Sequence, residues 1–156
     1  MIIFIRGVPG TGKTTLAERI FRAWRIPYVE ADQYMSRFGE FHFDPRLLSE
    51  AHDWCRNTAF AFRSTYGHVV VSNTFVRMWE MQQYFTNDWI KNQPAVVLEF
   101  SNKNLYGSIH GVPDQKIQGM VERWEPITPA LKKAWNAKVI KADDHEMALG
   151  MLQELL

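Results

Sequence analysis

The chain has 156 residues, and hydrophobic residues make up 46% of it, a size and composition typical of one compact domain with a buried core. Its 18 lysines and arginines nearly balance 17 aspartates and glutamates, so the net charge of +1 excludes a protein drawn to polyanions by bulk charge. A single cysteine excludes an intrachain disulfide framework, and apolar runs of only strand length exclude a membrane span.

Apolar periodicity and turn residues predict strands that alternate with helices along the whole chain. In chain order the predicted elements are strand 1–5, helix 13–24, strand 27–30, helix 45–66, strand 68–72, helix 77–91, strand 95–100, helix 114–125, helix 128–136, strand 138–140 and a terminal helix opened by a capping box at Asp143 and Glu146. Such alternation predicts an α/β fold with a mostly parallel sheet and helices on both faces. The polar stretch 101–113 lacks either period and predicts a mobile surface segment within a short lid at about 101–125. We therefore expect a single domain over 1–156.

The sequence Gly7-Val8-Pro9-Gly10-Thr11-Gly12-Lys13-Thr14 matches the P-loop pattern in full, between a predicted strand and a predicted helix. Glycines let successive backbone N–H groups point at phosphate oxygens, and the helix N-terminus adds its positive end. Lys13 is expected to bridge β- and γ-phosphate oxygens, Thr14 to ligate Mg²⁺ and Thr15 to support the α-phosphate. The pattern and its context predict a site for a nucleoside triphosphate with Mg²⁺, in preference to an ordinary glycine-rich turn.

Asp32 lies just beyond the second predicted strand, at the carboxyl edge where open α/β sheets bind ligands. A carboxylate at that edge can accept the proton of a hydroxyl that attacks the γ-phosphate, and Glu30 is the reserve candidate for this role. A cap or turn before Tyr34 is an equally open role for Asp32. The residues therefore predict phosphoryl transfer with Asp32 as the first choice of base.

The third predicted strand ends in Ser72-Asn73-Thr74, where an ATPase that splits water usually carries an acidic metal ligand. The lack of a carboxylate at this point disfavours a motor ATPase. Asn73 and Thr74 can contact an acceptor or a metal-bound water, or they can cap the helix that follows.

Several further side chains are candidates for contact with an acceptor or its phosphates. Arg37 and Arg77 follow the second and third strands, and each is either a phosphate ligand or a solvent-exposed residue. His52 either lines an acceptor site or is hydrogen-bonded within the long helix. His110 in the lid either reaches phosphate as an imidazolium or serves in a turn. Trp79 is the tryptophan we nominate for base stacking.

The order of the motifs along the chain is itself informative. They are Gly7-Val8-Pro9-Gly10-Thr11-Gly12-Lys13-Thr14, Glu30-Ala31-Asp32-Gln33-Tyr34-Met35, Phe43-Asp44-Pro45, Ala51-His52-Asp53-Trp54-Cys55, Val70-Val71-Ser72-Asn73-Thr74, His110-Gly111-Val112-Pro113 and Arg123-Trp124-Glu125. In this order they resemble the small P-loop kinases of the polynucleotide-kinase type. Within that group the chain is most similar to phage and bacterial ATP-binding proteins related to the kinase domain of the Nedd4-binding protein 2 group.

The resemblance implies a three-layer, P-loop NTPase kinase-like sandwich with a five-stranded sheet of order 2-3-1-4-5. It also implies transfer of the ATP γ-phosphoryl group to a hydroxyl of a nucleic acid or nucleoside-type acceptor, with Mg²⁺ as cofactor and Asp32 as general base. A polynucleotide 5′-hydroxyl is the first choice of acceptor. A hydroxymethyl-pyrimidine base of phage DNA and a nucleotide-binding adaptor with little turnover are the alternatives. With no visible targeting signal, we expect a location in the cytoplasm of a bacterium or of a phage-infected host.

Two features of the sequence depart from the polynucleotide-kinase pattern. The third strand of those kinases ends in Ser-Asp-Thr-Asn, whereas this chain has Ser72-Asn73-Thr74-Phe75. The segment 105–109 also lacks the arginine that their lids carry, and an arginine at the γ-phosphate is worth about 10³ to 10⁵ in rate. Lys103, Lys116 or Arg123, or a neighbouring subunit of a homo-oligomer, can supply the missing cation.

Overall fold

The computed structural model describes residues 1–86, 94–101 and 110–156. Its elements in chain order are β1 Ile2–Arg6, α1 Lys13–Trp24, β2 Tyr28–Val29, α2 Ala31–Met35, a 3₁₀ turn Pro45–Leu47, α3 Leu48–Tyr66, β3 Val69–Asn73, α4 Met78–Gln82, β4 Ala95–Phe100, α5 Asp114–Glu122, α6 Pro129–Ala134, β5 Ala137–Ala142 and α7 His145–Gln153. The predicted helix 77–91 and the polar stretch 101–113 extend into 87–93 and 102–109, which lie outside the described residues.

The five strands form one parallel sheet in the order β2-β3-β1-β4-β5, which confirms the predicted fold class and strand order. The central strand β1 ends at Arg6, which lies opposite Asn73 of β3 and Glu99 of β4. Because parallel strands share one direction, this register brings the carboxyl ends of all three strands to the same edge. The loop that begins at Gly7 therefore emerges at the edge where α/β sheets hold their ligands.

Apolar side chains cover both faces of the sheet. Ile2 and Phe4 of β1 belong to a core with Ala51 and Cys55 of α3, while alternate residues of the same strand belong to a second core with helices α1 and α7. A strand covered on both faces reads as an unbroken apolar run, which explains the triplet Val69–Val71.

Some helix ends follow the predicted signals and others depart from them. Gly67 ends α3 in the left-handed region with φ of 80°, and the Thr128 hydroxyl accepts a hydrogen bond from Leu131 N at 3.2 Å at the start of α6. The capping box at Asp143 and Glu146 is wrong, because Asp144 caps α7 and accepts from Met147 N at 2.8 Å. The predicted helix 77–91 is wrong at its centre, because α4 ends at Gln82 and residues 83–86 form turns and a bend. Helix α5 ends at Glu122 rather than residue 125. Of the described helices, none combines the length and the apolar character that a bilayer crossing requires.

Candidate active site

The phosphate-loop residues lie between β1 and α1, where the sequence places them. Gly10 and Gly12 have φ of 89° and 83°, values that favour glycine, and Gly12 is the residue that precedes α1. The hydroxyl of the buried Thr11 donates to the Val8 carbonyl at 2.9 Å, so the loop closes on itself. The concave backbone and the N-terminus of a twelve-residue helix together form a ready anion site.

Close packing inside the loop predicts that an added methyl group at Gly7 is harmful. A Cβ at Gly7 would lie 2.5 Å from Thr11 Oγ1 and 3.4 Å from Phe100 Cβ. Overpacking of this kind costs about 1–3 kcal/mol, so we expect Gly7→Ala to weaken ATP binding by about 5- to 100-fold in calorimetric titration. The double variant Gly7→Ala/Thr11→Ala removes the clashing oxygen and should recover part of the affinity. Unchanged ATP affinity in Gly7→Ala would contradict this account of the loop.

Lys13 lies inside the loop, and its Nζ donates to the Val8 carbonyl at 3.1 Å. Burial lowers the pKa of Lys13 to about 8, and the carboxylates of Glu30 and Asp32 oppose that shift. A bound phosphate would add negative charge beside the ammonium and hold it protonated. A bound phosphate would therefore add to the stabilisation that Glu30 and Asp32 give the charged Lys13 side chain.

Thr14 contacts Glu30, which the sequence analysis named only as the second candidate for the general base. Its hydroxyl donates to Glu30 Oε2 at 3.1 Å, and Glu30 is only 7% exposed. Burial raises the pKa of Glu30, while the Ser72 and Thr14 hydroxyls and Lys13 favour its ionised form.

The donor set at this position fits Mg²⁺. In the part of the chain that the structure describes, no group of three or more His, Cys, Asp or Glu side chains is arranged to hold a metal. Mg²⁺ needs no such cage, because it binds through one or two protein oxygens and takes its other ligands from water and phosphate. The Thr14 hydroxyl and the Glu30 carboxylate are oxygens of this kind beside the phosphate loop.

Asp32 lies in the first turn of α2, and its side chain is about half exposed. The charge of Asp32 helps to raise the pKa of Lys13, which places the two groups in one electrostatic environment. His110 Nε2 lies 3.4 Å from Asp32 Oδ2, and the His110 ring stacks on Phe41 with ring centres 3.8 Å apart. Asp32 therefore lies between the phosphate loop and the residues that precede α5, with room for a further contact.

Asn73 is engaged within the protein. Its Oδ1 accepts from Ala31 N at 3.0 Å, and its Nδ2 contacts Cys55 Sγ at 3.5 Å. The Asn73 side chain therefore fixes the start of α2, the helix that carries Asp32. Thr74 follows at the same edge and is half-buried.

The predicted cation candidates lie in different surroundings. Arg37 stacks on Tyr34 and Phe38, with its guanidinium 3.9 Å and 4.6 Å from the ring centres. Arg77 precedes α4 and pairs with Glu125 at 3.1 Å.

The remaining candidates lie at or near helices, and one of them falls outside the described residues. Arg123 folds back over Gly119 of its own helix, since its Nη1 would lie 3.1 Å from a Cβ there. His52 is half-buried on α3, and Thr15 is exposed in the first turn of α1. Lys103 lies outside the described residues.

A buried arginine supports the base of the loop, and our sequence analysis missed it. Arg6 is fully buried. Its Nη1 pairs with Glu99 Oε2 at 2.7 Å, and its Nε donates to the Phe75 carbonyl at 2.7 Å. Its Nη2 donates to the carbonyls of Val76 and Glu125. The signal in the sequence was an arginine at the end of an otherwise apolar strand, directly before Gly7.

The strand order, the loop that opens α1 and the placement of Lys13 and Thr14 define a P-loop NTPase of kinase-like fold. Residues 2–100 match the profile of the AAA domain family AAA_33, and the chain belongs to that family.

Known relatives agree with this class. The chain is 30% identical over 134 residues to human NEDD4-binding protein 2, an alignment that covers 80% of this chain and only 8% of that protein. Kti12 of Chaetomium thermophilum in complex with ADP-AlF3 superposes with a TM-score of 0.61 at 15% identity, covering 99% of this chain and 97% of that one. Shikimate kinase of Bacteroides thetaiotaomicron gives a TM-score of 0.58 at 21% identity, with coverage of 99% and 97%. At such identities the two structures support the fold alone.

Proposed function

We propose that this chain is a Mg²⁺- and ATP-dependent kinase that phosphorylates a hydroxyl of a nucleic acid or nucleoside-type acceptor. The observation that carries the proposal is the meeting of Lys13, Thr14 and the half-exposed Asp32 at one edge of the sheet. Phosphoryl transfer requires positioning and charge stabilisation more than covalent chemistry, and these three groups meet that requirement.

Each group has a distinct role in the proposed reaction. Lys13 would hold the β- and γ-phosphate oxygens, while Asp32 orients the acceptor hydroxyl and takes its proton as the new oxygen–phosphorus bond forms. The bond between the γ-phosphorus and the bridging oxygen breaks, and ADP leaves. Magnesium, when bound, would neutralise charge on the phosphates.

Exposed aromatic rings on the segment that follows α2, the helix that carries Asp32, favour an acceptor with bases over a small polyol. Phe38 is 90% exposed with the Arg37 guanidinium beside its ring, and Phe43 is 47% exposed with Lys116 Nζ 5.9 Å from its ring centre. We call Phe38, Phe43 and their two cations the aromatic strip. Exposed rings flanked by cations bind single strands by base stacking and phosphate contact, which a near-neutral net charge does not prevent.

The aromatic strip predicts a specific loss of oligonucleotide binding in Phe38→Ala. Stacking on one aromatic ring contributes about 1–3 kcal/mol, so we expect the affinity for a short single strand to fall about 5- to 100-fold. Phe21→Ala is the matched control, because Phe21 is also exposed, at 40%, and has an arginine at its ring, but lies on α1. Fluorescence anisotropy with labelled oligonucleotide measures both. Equal losses in the two variants would contradict a role for the strip.

Transfer of label from [γ-³²P]ATP tests the proposed function directly. We expect phosphate on a 5′-hydroxyl oligonucleotide and none on the same strand with a 5′-phosphate. DNA that contains hydroxymethyl-pyrimidine, tested in parallel, separates the phage-DNA acceptor from the 5′-hydroxyl. Hydrolysis of ATP with label on neither acceptor would refute the proposed acceptor class.

A nucleotide-binding adaptor with little turnover is the second candidate. It is favoured by the arginine-free segment before His110 and by Arg123, which lies over its own helix. An adaptor should bind ATP but give the same label transfer with and without Asp32. A second subunit that supplies the missing cation would instead make turnover depend on protein concentration.

A further inference from the structure

A histidine from a distant part of the chain contacts the candidate base Asp32. His110 Nε2 lies 3.4 Å from Asp32 Oδ2. The His110 side chain is 25% exposed, whereas that of Asp32 is 53% exposed. The imidazole is therefore the more enclosed of the two groups, and the carboxylate keeps a side open to an acceptor.

Packing holds the His110 ring independently of its contact with Asp32. The ring stacks on Phe41, with ring centres 3.8 Å apart and planes inclined by 24°. Phe41 is half-buried and packs against the core, and the next residue, His42, donates its backbone N–H to the Met35 carbonyl at 3.1 Å. Met35 is the last residue of α2, the helix that carries Asp32 in its first turn. The aromatic ring under the imidazole and the carboxylate beside it are thus joined to the same short helix.

A half-exposed carboxylate gains as a base from a neutral donor that orients it. A free aspartate side chain rotates about two bonds, and only some of its rotamers present an oxygen to the acceptor hydroxyl. A hydrogen bond to one oxygen restricts these rotations. A lysine or arginine in that position would lower the proton affinity of the carboxylate, whereas a neutral imidazole donates one N–H and adds no net charge.

We propose that His110 is the positioning residue of the candidate base: its Nε2–H donates to Asp32 Oδ2 and leaves Oδ1 for the acceptor hydroxyl. The proposal rests on the proposed function. In the transfer step the acceptor O–H bond breaks, its proton passes to Oδ1, and the acceptor oxygen bonds to the γ-phosphorus as the bond to ADP breaks. His110 keeps its own proton throughout. The 3.4 Å contact is longer than a charge-assisted hydrogen bond, and catalytic hydrogen bonds often tighten only when substrate binds.

Two substitutions separate the donor from the ring. His110→Phe keeps a ring that can stack on Phe41 but has no N–H, while His110→Gln loses the ring and keeps an amide nitrogen in place of Nε2. At saturating ATP and acceptor, we expect the single-turnover rate of γ-phosphoryl transfer to fall about 10- to 100-fold in His110→Phe and to recover most of that loss in His110→Gln. Calorimetric titration should give an unchanged affinity for Mg-ATP in both variants. His42→Phe, the same change at an exposed residue next to Phe41, is the matched control and should keep the rate of the unaltered protein.

Combination with Asp32→Asn shows whether His110 acts through the carboxylate. In the Asp32→Asn background, His110→Phe should have almost no further effect on the rate, because residues that act as a unit are strongly non-additive. An equal loss in the two backgrounds, or a fall in Mg-ATP affinity in His110→Phe, overturns the positioning role in favour of a structural role or a direct phosphate contact. A His110→Gln variant as slow as His110→Phe also overturns it. Transfer by His110→Phe at the unaltered rate overturns the role of His110 and leaves the kinase proposal standing, whereas an unaltered protein that labels no hydroxyl overturns both.

Discussion

We expect Asp32→Asn to bind Mg-ATP as tightly as the unaltered protein and to transfer its γ-phosphoryl group about 100- to 10,000-fold more slowly. The amide has the size of the carboxylate but cannot take the acceptor proton. Asp32 is half exposed and caps no helix, so its replacement should leave the fold intact. Single-turnover transfer from labelled ATP measures the loss, and calorimetric titration measures the affinity.

Two further variants, Lys13→Ala and Asp53→Asn, serve as controls for the Asp32→Asn experiment. Lys13→Ala should lose ATP binding itself, since its ammonium lies inside the loop. Asp53→Asn changes an exposed acid on α3 that pairs with Arg56, and should keep both binding and transfer. A fall in ATP affinity equal to the fall in rate would show that Asp32 acts in binding rather than as the base.

A large loss of stability is expected when Arg6 is replaced by methionine. The buried guanidinium pairs with Glu99 and donates to three carbonyls, and Arg6→Met leaves all of these groups unpaired in the interior. Removing one partner of a buried ion pair costs about 3–5 kcal/mol, so the free energy of unfolding in urea should fall by that amount.

The matched control is Arg22→Met. Arg22 pairs with Glu18 on the exposed face of α1, at 3.6 Å, and such pairs contribute less than about 1 kcal/mol. A loss below about 1 kcal/mol in Arg6→Met would show that the Arg6 cluster is not important for stability. If Arg6→Met does not fold, Glu99→Gln keeps an acceptor at 2.7 Å and tests the charge alone.

Local chemistry explains why much of the fold was predictable. The run 1–5, the glycine loop and the helix 13–24 each have a strong local signal, and the structure agrees to within one residue. Gly67 was predictable because only a left-handed residue ends α3 there. The prediction of the α7 cap was wrong because Asp143 and Asp144 carry the same side chain one residue apart, and only packing selects Asp144.

The site was less predictable because it depends on contacts between distant residues. Helix α2 is five residues long and gives no periodic signal, so Asp32 was expected beyond a strand rather than within a helix. Glu30 ranked second because its contact with Thr14 joins residues 16 positions apart. Arg6 meets Glu125 across 119 positions, which no local pattern reports.

Tryptophans show how composition alone misleads about base stacking. Trp135 is buried, with its ring 4.6 Å from that of Phe85, and Trp124 lies under the Arg6 guanidinium at 3.8 Å. Trp79 is 63% exposed and remains a candidate for base stacking. The aromatic strip was missed because phenylalanine is usually a core residue, and only the structure shows Phe38 in solvent.

The contacts of Arg6 with residues beyond α5 have a mechanical consequence. Arg6 donates to the Glu125 carbonyl, and Glu125 N donates to the Val76 carbonyl at 3.0 Å, so the chain just after α5 is anchored to the sheet. If α5 moves when a ligand binds, residues 123–125 are the expected pivot, because Arg6 and Val76 hold them in place. The Asp32–His110 distance, 3.4 Å here, is the quantity that would report such a movement.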